Sequence, residues 1–422
     1  MARGEQAVLV HVSLGGVDHR VGTLWVHAAG SGERASFQYE PQWLESAMAF
    51  SLEPALQLGE GVFPSPDGKA LFGAFGDSAP DRWGRALLDR REGQIARAEQ
   101  RTRRRLLDSD YLLMVNDRAR QGALRFKADE DGPFLAPEGG HGIPPLLEIG
   151  RLMRAAGRIL DRQEADQDVQ DLVEPGASLG GARPKASVLD ANGGLLIAKF
   201  PSPRDEWDVE LWECVCLTLA RKAGIPVPGF RLERIAGRNV LLLERFDRGP
   251  GGIRIPYLSA MSMVQRTDGE RGSYLEIAEA LHRHGASATA DLQDLWRRMV
   301  FNILVSNVDD HLRNHGFLYR GSGGWTLSPV FDLEPMPAHK KARELQTYIT
   351  LDDGTATLDL AYEVAGEFGL RMPAARDMAC RVASAVRDWE RTATGLGASS
   401  RETETMRSAF DHQELRRAVS GR

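Results

Sequence analysis

The sequence predicts an α+β chain with a β-rich N-terminal region and a mostly helical C-terminal part. Short apolar runs of strand type, residues 7–12 (AVLVHV) and 21–26, flank the Gly15-Gly16 turn signal. Further on, Trp207, Leu211, Val215 and Leu219 recur every fourth residue, and 274–284 and 292–304 also read as helices. At 422 residues the chain is long enough for two or three structural units.

Composition narrows the function classes. Hydrophobic residues make up 42% and charged residues 27%, which fits a soluble globular protein with a full core. A net charge of -6 argues against nucleic-acid binding by the chain as a whole. Cys214 and Cys216 lie in a helical pattern that points their side chains apart. With Cys380 they form neither a disulfide framework nor a zinc spacing, so a reducing cytoplasm is expected. The N-terminus, MARGEQAVLVHVSLGG, lacks a signal-peptide apolar region, and no run approaches a membrane span, so no membrane partner is expected.

The β-rich region extends over about 7–75, with a third strand at 37–39. Residues 77–105 turn helical and Arg-rich. Asp89, Glu92 and Glu99 interrupt the positive charge, which predicts a salt-bridged, solvated face rather than a phosphate grip. Short apolar segments follow at 111–115 and 122–126, then a Gly/Pro-rich connection at 131–145 and one or two helices over 146–173. The polar tail, 395–422, is expected to fray.

The chemistry begins at 175–188, PGASLGGARPKASV. Its glycines permit close backbone approach, and N–H groups in such a loop can cradle phosphate. Alone the signal is weak, being neither a Walker A motif nor G-x-G-x-x-G, and a plain flexible loop fits as well. A strand over 194–200 then ends in Ile197-Ala198-Lys199, like the kinase strand whose Lys meets ATP phosphates and pairs with a helix Glu. The next helix, about 206–223, offers Glu210 and Glu213. Strands at 230–235 and 240–243 turn at Gly237 and run into Glu244-Arg245-Phe246-Asp247, a hinge-like segment.

Asp309 and Asn314 have the D-x-x-x-x-N spacing of a kinase catalytic loop. A hairpin follows, with arms 316–319 and 325–327 around Gly321-Ser322-Gly323-Gly324. It returns the chain so that Asp332 can lie beside Asn314. One acid could then handle the acceptor hydroxyl while two side chains hold Mg2+ against ATP. Taken singly, Asp309-Asp310 reads as a solvated turn and Asn314 as a helix cap. A metal-dependent hydrolase using Asp309, Asp310, His311, His315 and Asp332 is a rival, but it leaves the glycine loop and Lys199 unexplained. Glycine loop, strand Lys, helix Glu, hinge, Asp/Asn loop, hairpin and Asp together give the order of a two-lobed kinase-like fold.

With these residues assembled, the sequence resembles the HipA family of bacterial type II toxin–antitoxin serine/threonine kinases. The resemblance spans nearly the whole chain. It rests on PDRWGR (80–85), SLGGARPK (178–185), ERFD (244–247), NVDDHLRN (307–314) and SPVFDL (328–333). It implies a β-rich N-terminal subdomain at 1–130, a nucleotide-binding part at 146–247 and a helical catalytic lobe at 248–422.

The resemblance also implies roles. Asp309 is the catalytic base, and Asn314 and Asp332 hold Mg2+. ATP contacts fall to Gly180, Gly181, Ala182, Arg183, Pro184, Lys185, Lys199, Glu244, Arg245, Phe246, His311, Asn314, Phe331 and Asp332. Glu213 is the likelier Lys199 partner, with Glu210 in reserve. His311 on bare sequence reads equally as a loop brace. Ser178 matches the loop serine that family members autophosphorylate, a modification that would compete with ATP phosphates. The implied partners are a small helix-turn-helix antitoxin, operator DNA through that antitoxin, and a translation component such as an aminoacyl-tRNA synthetase. A small-molecule kinase and a non-catalytic co-repressor remain alternatives. Compared with eukaryotic-type kinases, Asp309 lacks a preceding His-Arg, Asp332 is followed by Leu-Glu, and no Ala-Pro-Glu follows. Those departures put the usual activation-loop phosphorylation in doubt.

Overall fold

The computed structural model describes residues 5–29, 32–135, 142–173, 175 and 182–420. The class is α+β, as the sequence predicts. The chain divides into two compact units. The first comprises Met1–Arg204, Ile235–Arg238 and Leu242–Leu258, and the second Asp205–Arg234, Asn239–Leu241 and Ser259–Arg422.

In the first unit, β1 (Glu5–Leu14), β2 (Val17–Ala29), β3 (Gly32–Tyr39), β4 (Val62–Pro64) and β5 (Leu124–Lys127) form one antiparallel sheet. Its order is β4-β3-β2-β1-β5. The β1–β2 hairpin turns at Gly15 and Gly16, whose φ of 58° and 87° suit a two-residue turn that glycine adopts without penalty. Val8, Val10, Val12, Val21, Leu24 and Phe37 are buried. Phe75 packs on both Phe37 and Phe126, with ring centroids 5.5 and 6.1 Å apart. Each such side chain contributes about 1.5–3 kcal/mol through burial.

Helix α1 (Arg82–Ala98) is shorter than the 77–105 expected from sequence. Asp81 caps its start, accepting from the Gly84 N–H at 2.7 Å. Its end is set by Gln100, in the left-handed region at φ 52°. The chain reverses there so that buried Glu92 accepts from Arg101 Nη1 at 2.6 Å and from the Arg104 N–H at 3.0 Å. Arg85–Asp108, Arg90–Glu164 and Arg103–Asp89 complete the expected salt-bridged face.

Helices α2 (Ile149–Leu160) and α3 (Asp166–Val173) follow. Then β6 (Lys185–Leu189) and β7 (Leu195–Lys199) pair antiparallel, with Lys185 opposite Lys199.

The second unit is built on α4 (Val209–Lys222), which Asp208 caps, and on α5 (Tyr274–His284) and α6 (Ala288–Val305). Cys214 and Cys216 are buried on α4, and burial pushes the Cys214 thiol up to about 12. Strands β8 (Phe230–Ile235) and β9 (Arg238–Glu244) lie on segments that the division between units crosses. The hairpin β10 (Gly316–Tyr319) and β11 (Trp325–Leu327) has the bounds the sequence predicts.

The polar tail does not fray over its described residues. It forms helices Ser400–Phe410 and Gln413–Ser420 and buries Met406, Ala409, Phe410, Leu415 and Ala418. Phe410 stacks on Trp389 at 4.8 Å, and Ser306 Oγ donates to the Ala409 carbonyl at 2.8 Å. The few apolar residues recur at helical spacing, which offsets the polar average.

Candidate functional site

The site residues of the second unit begin where α6 ends. Ser306 takes a left-handed conformation (φ 53°) and turns the chain into the 307–314 loop. Asp309 Oδ1 accepts from Gln346 Nε2 at 2.5 Å and from Lys341 Nζ at 3.2 Å. Its side chain stays 47% exposed, and Oδ2 has no protein partner among the described residues. Asn314 Nδ2 donates to the Asp309 carbonyl at 3.2 Å, so the two ends of the D-x-x-x-x-N stretch touch. His311 begins the short turn that carries Asn314, whose N–H donates to the His311 carbonyl at 2.8 Å.

The chain just after Asp332 returns to the start of this loop. The Glu334 N–H donates to Asn307 Oδ1 at 3.3 Å and the Met336 N–H to the Ser306 carbonyl at 3.0 Å. Asp332 itself has φ 55°, a conformation non-glycine residues seldom adopt. Its N–H donates to Glu213 Oε1 at 3.2 Å. Phe331, beside it, is half-buried.

Asp310 plays a different part from its neighbour. It is buried, its carboxylate accepts from Tyr274 Oη, and His315 Nε2 lies 2.9 Å from Oδ1. Asn302 Nδ2 donates to Tyr274 Oη at 3.0 Å, and Asn307 Nδ2 to Asn302 Oδ1 at 3.1 Å. Burial, with Asp310 alongside, pushes the Tyr274 hydroxyl well above its ordinary value. A chain of buried polar side chains thus runs from Asp310, next to Asp309, through Tyr274 and Asn302 to Asn307. Asp310 is thereby held inside this buried chain, with the His315 ring beside it.

In the first unit, Lys199 ends β7 and is buried. Lys185, opposite it, is also buried and directs its ammonium to Asp81 Oδ2 at 2.7 Å, while Trp83 Nε1 donates to the Lys185 carbonyl at 3.1 Å. The Pro80–Arg85 motif therefore braces the strand after the glycine loop. Ala182 is exposed, Arg183 half-buried and Pro184 buried. The Phe200 N–H donates to the Pro184 carbonyl at 2.9 Å. Ser178, Gly180 and Gly181 lie outside the described residues.

In the hinge segment, the Arg245 N–H donates to the Leu195 carbonyl at 3.2 Å, which ties the segment to β7. Glu244 is exposed and Phe246 half-buried, its ring 6.2 Å from that of Tyr257. Arg245 is buried and grips Asp247 with both Nε (2.6 Å) and Nη2 (2.5 Å). Arg248 Nη1 and the Gly122 N–H add bonds of 2.8 and 2.7 Å to Asp247 Oδ2. Burial alone would raise the Asp247 carboxyl, but Arg245 and Arg248 override it and hold it well below the usual range.

Sequence reasoning did not single out Lys341, Gln346 or Tyr274, nor the contact of Asp81 with Lys185. These contacts join residues far apart in the sequence, so no local pattern announces them.

A family model described as HipA-like C-terminal domain matches residues 177–390, and one described as HipA N-terminal domain matches 11–108. A Sinorhizobium fredii protein named as a kinase, Y4dM, is 30% identical over 158 residues, covering 34% of this chain and 38% of that protein. Y4mE, also named as a kinase from that organism, is 24% identical over 385 residues, covering 81% of this chain and 82% of that protein. The match to Y4dM thus spans well under half of that relative's length. Among solved structures, HipA of Shewanella oneidensis MR-1, determined with HipB and operator DNA, superposes with a TM-score of 0.62 at 17% identity. That match covers 98% of this chain and 96% of the other, and it shows a shared fold.

Proposed function

Since this chain belongs to the HipA family, we propose that it is an ATP- and Mg2+-dependent serine/threonine protein kinase and the toxin of a toxin–antitoxin pair. The observation that carries this reading is the posture of Asp309: one oxygen held by two donors, the other open, with Asn314 on its carbonyl. A general base needs that arrangement, fixed in plane yet open at the accepting atom.

Asp309 Oδ2 accepts the proton of a Ser or Thr hydroxyl as its oxygen attacks the γ-phosphorus of ATP. Asn314 and Asp332 supply hard oxygen ligands of the kind Mg2+ takes, and the left-handed backbone of Asp332 is the sort of strain that functional sites retain. Bound there, Mg2+ would neutralise charge on the ATP phosphates. Lys199 and the 180–184 loop contact the phosphates, with Glu213 or Glu210 as acidic partner. Glu244, Phe246, His311 and Phe331 frame the nucleotide. Lys185 and Arg245, whose charges are committed to Asp81 and Asp247, serve the nucleotide through the backbone they fix.

Its own loop serine, Ser178, is a second acceptor and a self-inactivation switch. The protein substrate is a translation component, and an aminoacyl-tRNA synthetase fits that class. The partners are a small helix-turn-helix antitoxin and, through it, operator DNA. The Shewanella HipA structure, which holds both HipB and operator DNA, supports that assignment. The site of action is the cytoplasm. Among the described residues, no helix is long and apolar enough to cross a membrane.

The test is incubation with γ-labelled ATP and Mg2+, followed by peptide mapping. The expected result is label on Ser178 that is absent from Asp309→Gln. Undiminished label in that variant would remove Asp309 from the mechanism.

A further inference from the structure

The stretch after Asp332 comes back to the base and brings a cation with it. Lys341 Nζ stands 3.2 Å from Asp309 Oδ1, and its side chain is 41% exposed. Lys341 has no other partner among the described residues, whereas its neighbour Lys340 is paired with Glu206. Within the 307–314 loop itself, the permanently charged Arg313 is tied to Asp268, by bonds of 2.9 and 3.0 Å. The loop thus offers no uncommitted lysine or arginine of its own. Among the described residues, Lys341 is the lysine whose ammonium reaches Asp309.

Gln346 shares the same oxygen at 2.5 Å, so Asp309 keeps its orientation if the lysine leaves. The Thr347 N–H donates to the Asp310 carbonyl at 2.7 Å, which anchors Gln346 beside the loop.

We propose that Lys341 is a catalytic residue whose ammonium passes from Asp309 Oδ1 to the transferred phosphoryl group. This inference rests on reading the site as a phosphotransfer centre. In the reaction the acceptor oxygen forms a bond to the γ-phosphorus, and its proton goes to Asp309 Oδ2. The bond from the γ-phosphorus to the β,γ-bridging oxygen breaks, and ADP leaves with that electron pair. Lys341 keeps its proton throughout and lowers the barrier by facing the equatorial oxygens, where the transition state carries negative charge. Its exposure suits this role, since an ion pair held this loosely contributes little to the fold and can be exchanged.

The experiment compares Lys341→Met and Lys341→Arg with the unaltered chain in steady-state phosphotransfer, with thermal midpoints measured in parallel. Lys341→Met is expected to lose about 10²-fold in kcat, with the KM for ATP and the thermal midpoint nearly unchanged. Lys341→Arg, which keeps the charge, recovers part of that loss. A Lys341→Met enzyme within about twofold of the unaltered kcat overturns the proposal, because a transition-state cation cannot be removed so cheaply. So does a loss matched by a fall in thermal midpoint, or an arginine variant as impaired as the methionine. Asp309→Asn serves as the reference: if it retains activity, the phosphotransfer reading of the loop fails, whatever Lys341 does.

Discussion

Glu213 accepts a hydrogen bond from the backbone N–H of Asp332, at 3.2 Å. Helix α4 thereby reaches the backbone of the proposed Mg2+ ligand, at a residue held with φ 55°. A non-glycine residue in that region costs about 1–2 kcal/mol, so something must over-determine it. Glu213→Ala removes the acceptor and lets Asp332 relax. The expected result is a drop in kcat of about tenfold or more from the misplaced ligand. Glu213→Gln retains an acceptor oxygen and should be milder. Parallel kinetics on the two variants check the ranking, and equal activity in both would dissociate Glu213 from Asp332.

Tyr274 stands at the centre of the buried chain between Asn302 and Asp310. Tyr274→Phe keeps the ring and deletes the hydroxyl, leaving the buried carboxylate of Asp310 short of a donor. Stability should fall by about 1–3 kcal/mol, the usual effect of an unsatisfied buried polar group. Because Asp310 adjoins the proposed base, kcat should fall as well, with less effect on the KM for ATP. Chemical denaturation and kinetics on one preparation measure both.

Asp247 is the acid on which Arg245, Arg248 and the Gly122 N–H converge. Asp247→Asn leaves two buried guanidinium groups without a counter-charge. The predicted destabilisation is about 3–5 kcal/mol, measured by urea unfolding. The sign with pH follows from a depressed folded-state value. The stabilisation is present above the ordinary carboxylate value and is lost as pH falls through the folded one.

Glu53 runs the other way. Burial pushes its carboxyl up to about 7, although the Ala74 N–H donates to Oε2 at 2.5 Å. A raised folded-state value means that its contribution is greatest below the unfolded value near 4.5 and fades as pH climbs to about 7. That shift corresponds to about 3 kcal/mol between the two limits. Glu53→Gln should therefore be more stable than the unaltered chain at pH 8 and lose that advantage at pH 4. Thermal midpoints across this range test it, and a constant difference would contradict it.

The local parts of this molecule were legible in its sequence. The hairpin arms and the 274–284 helix stand at the expected residues, because turn glycines, apolar period and a Ser273–Glu276 capping box fix them from within. The five-residue spacing of Asp309 and Asn314 is local too, and it brings the Asn314 amide onto the Asp309 carbonyl. The charged bracing was not legible. Lys341 lies 32 residues from Asp309, and Asp81 lies 104 from Lys185, so neither pair has a local signature. The polar average over 395–422 also misled, since Met406, Ala409, Phe410, Leu415 and Ala418 are buried in that tail. Sequence composition sums over a segment, whereas packing depends on which residues share a face.

The central claim is that Asp309 is the base of a phosphotransfer reaction. Single-turnover transfer from γ-labelled ATP, measured on Asp309→Asn alongside its ATP affinity, tests it most directly. We expect the rate to fall by about 10²–10⁴-fold with ATP affinity retained. A variant that transfers phosphate at the unaltered rate would contradict the account.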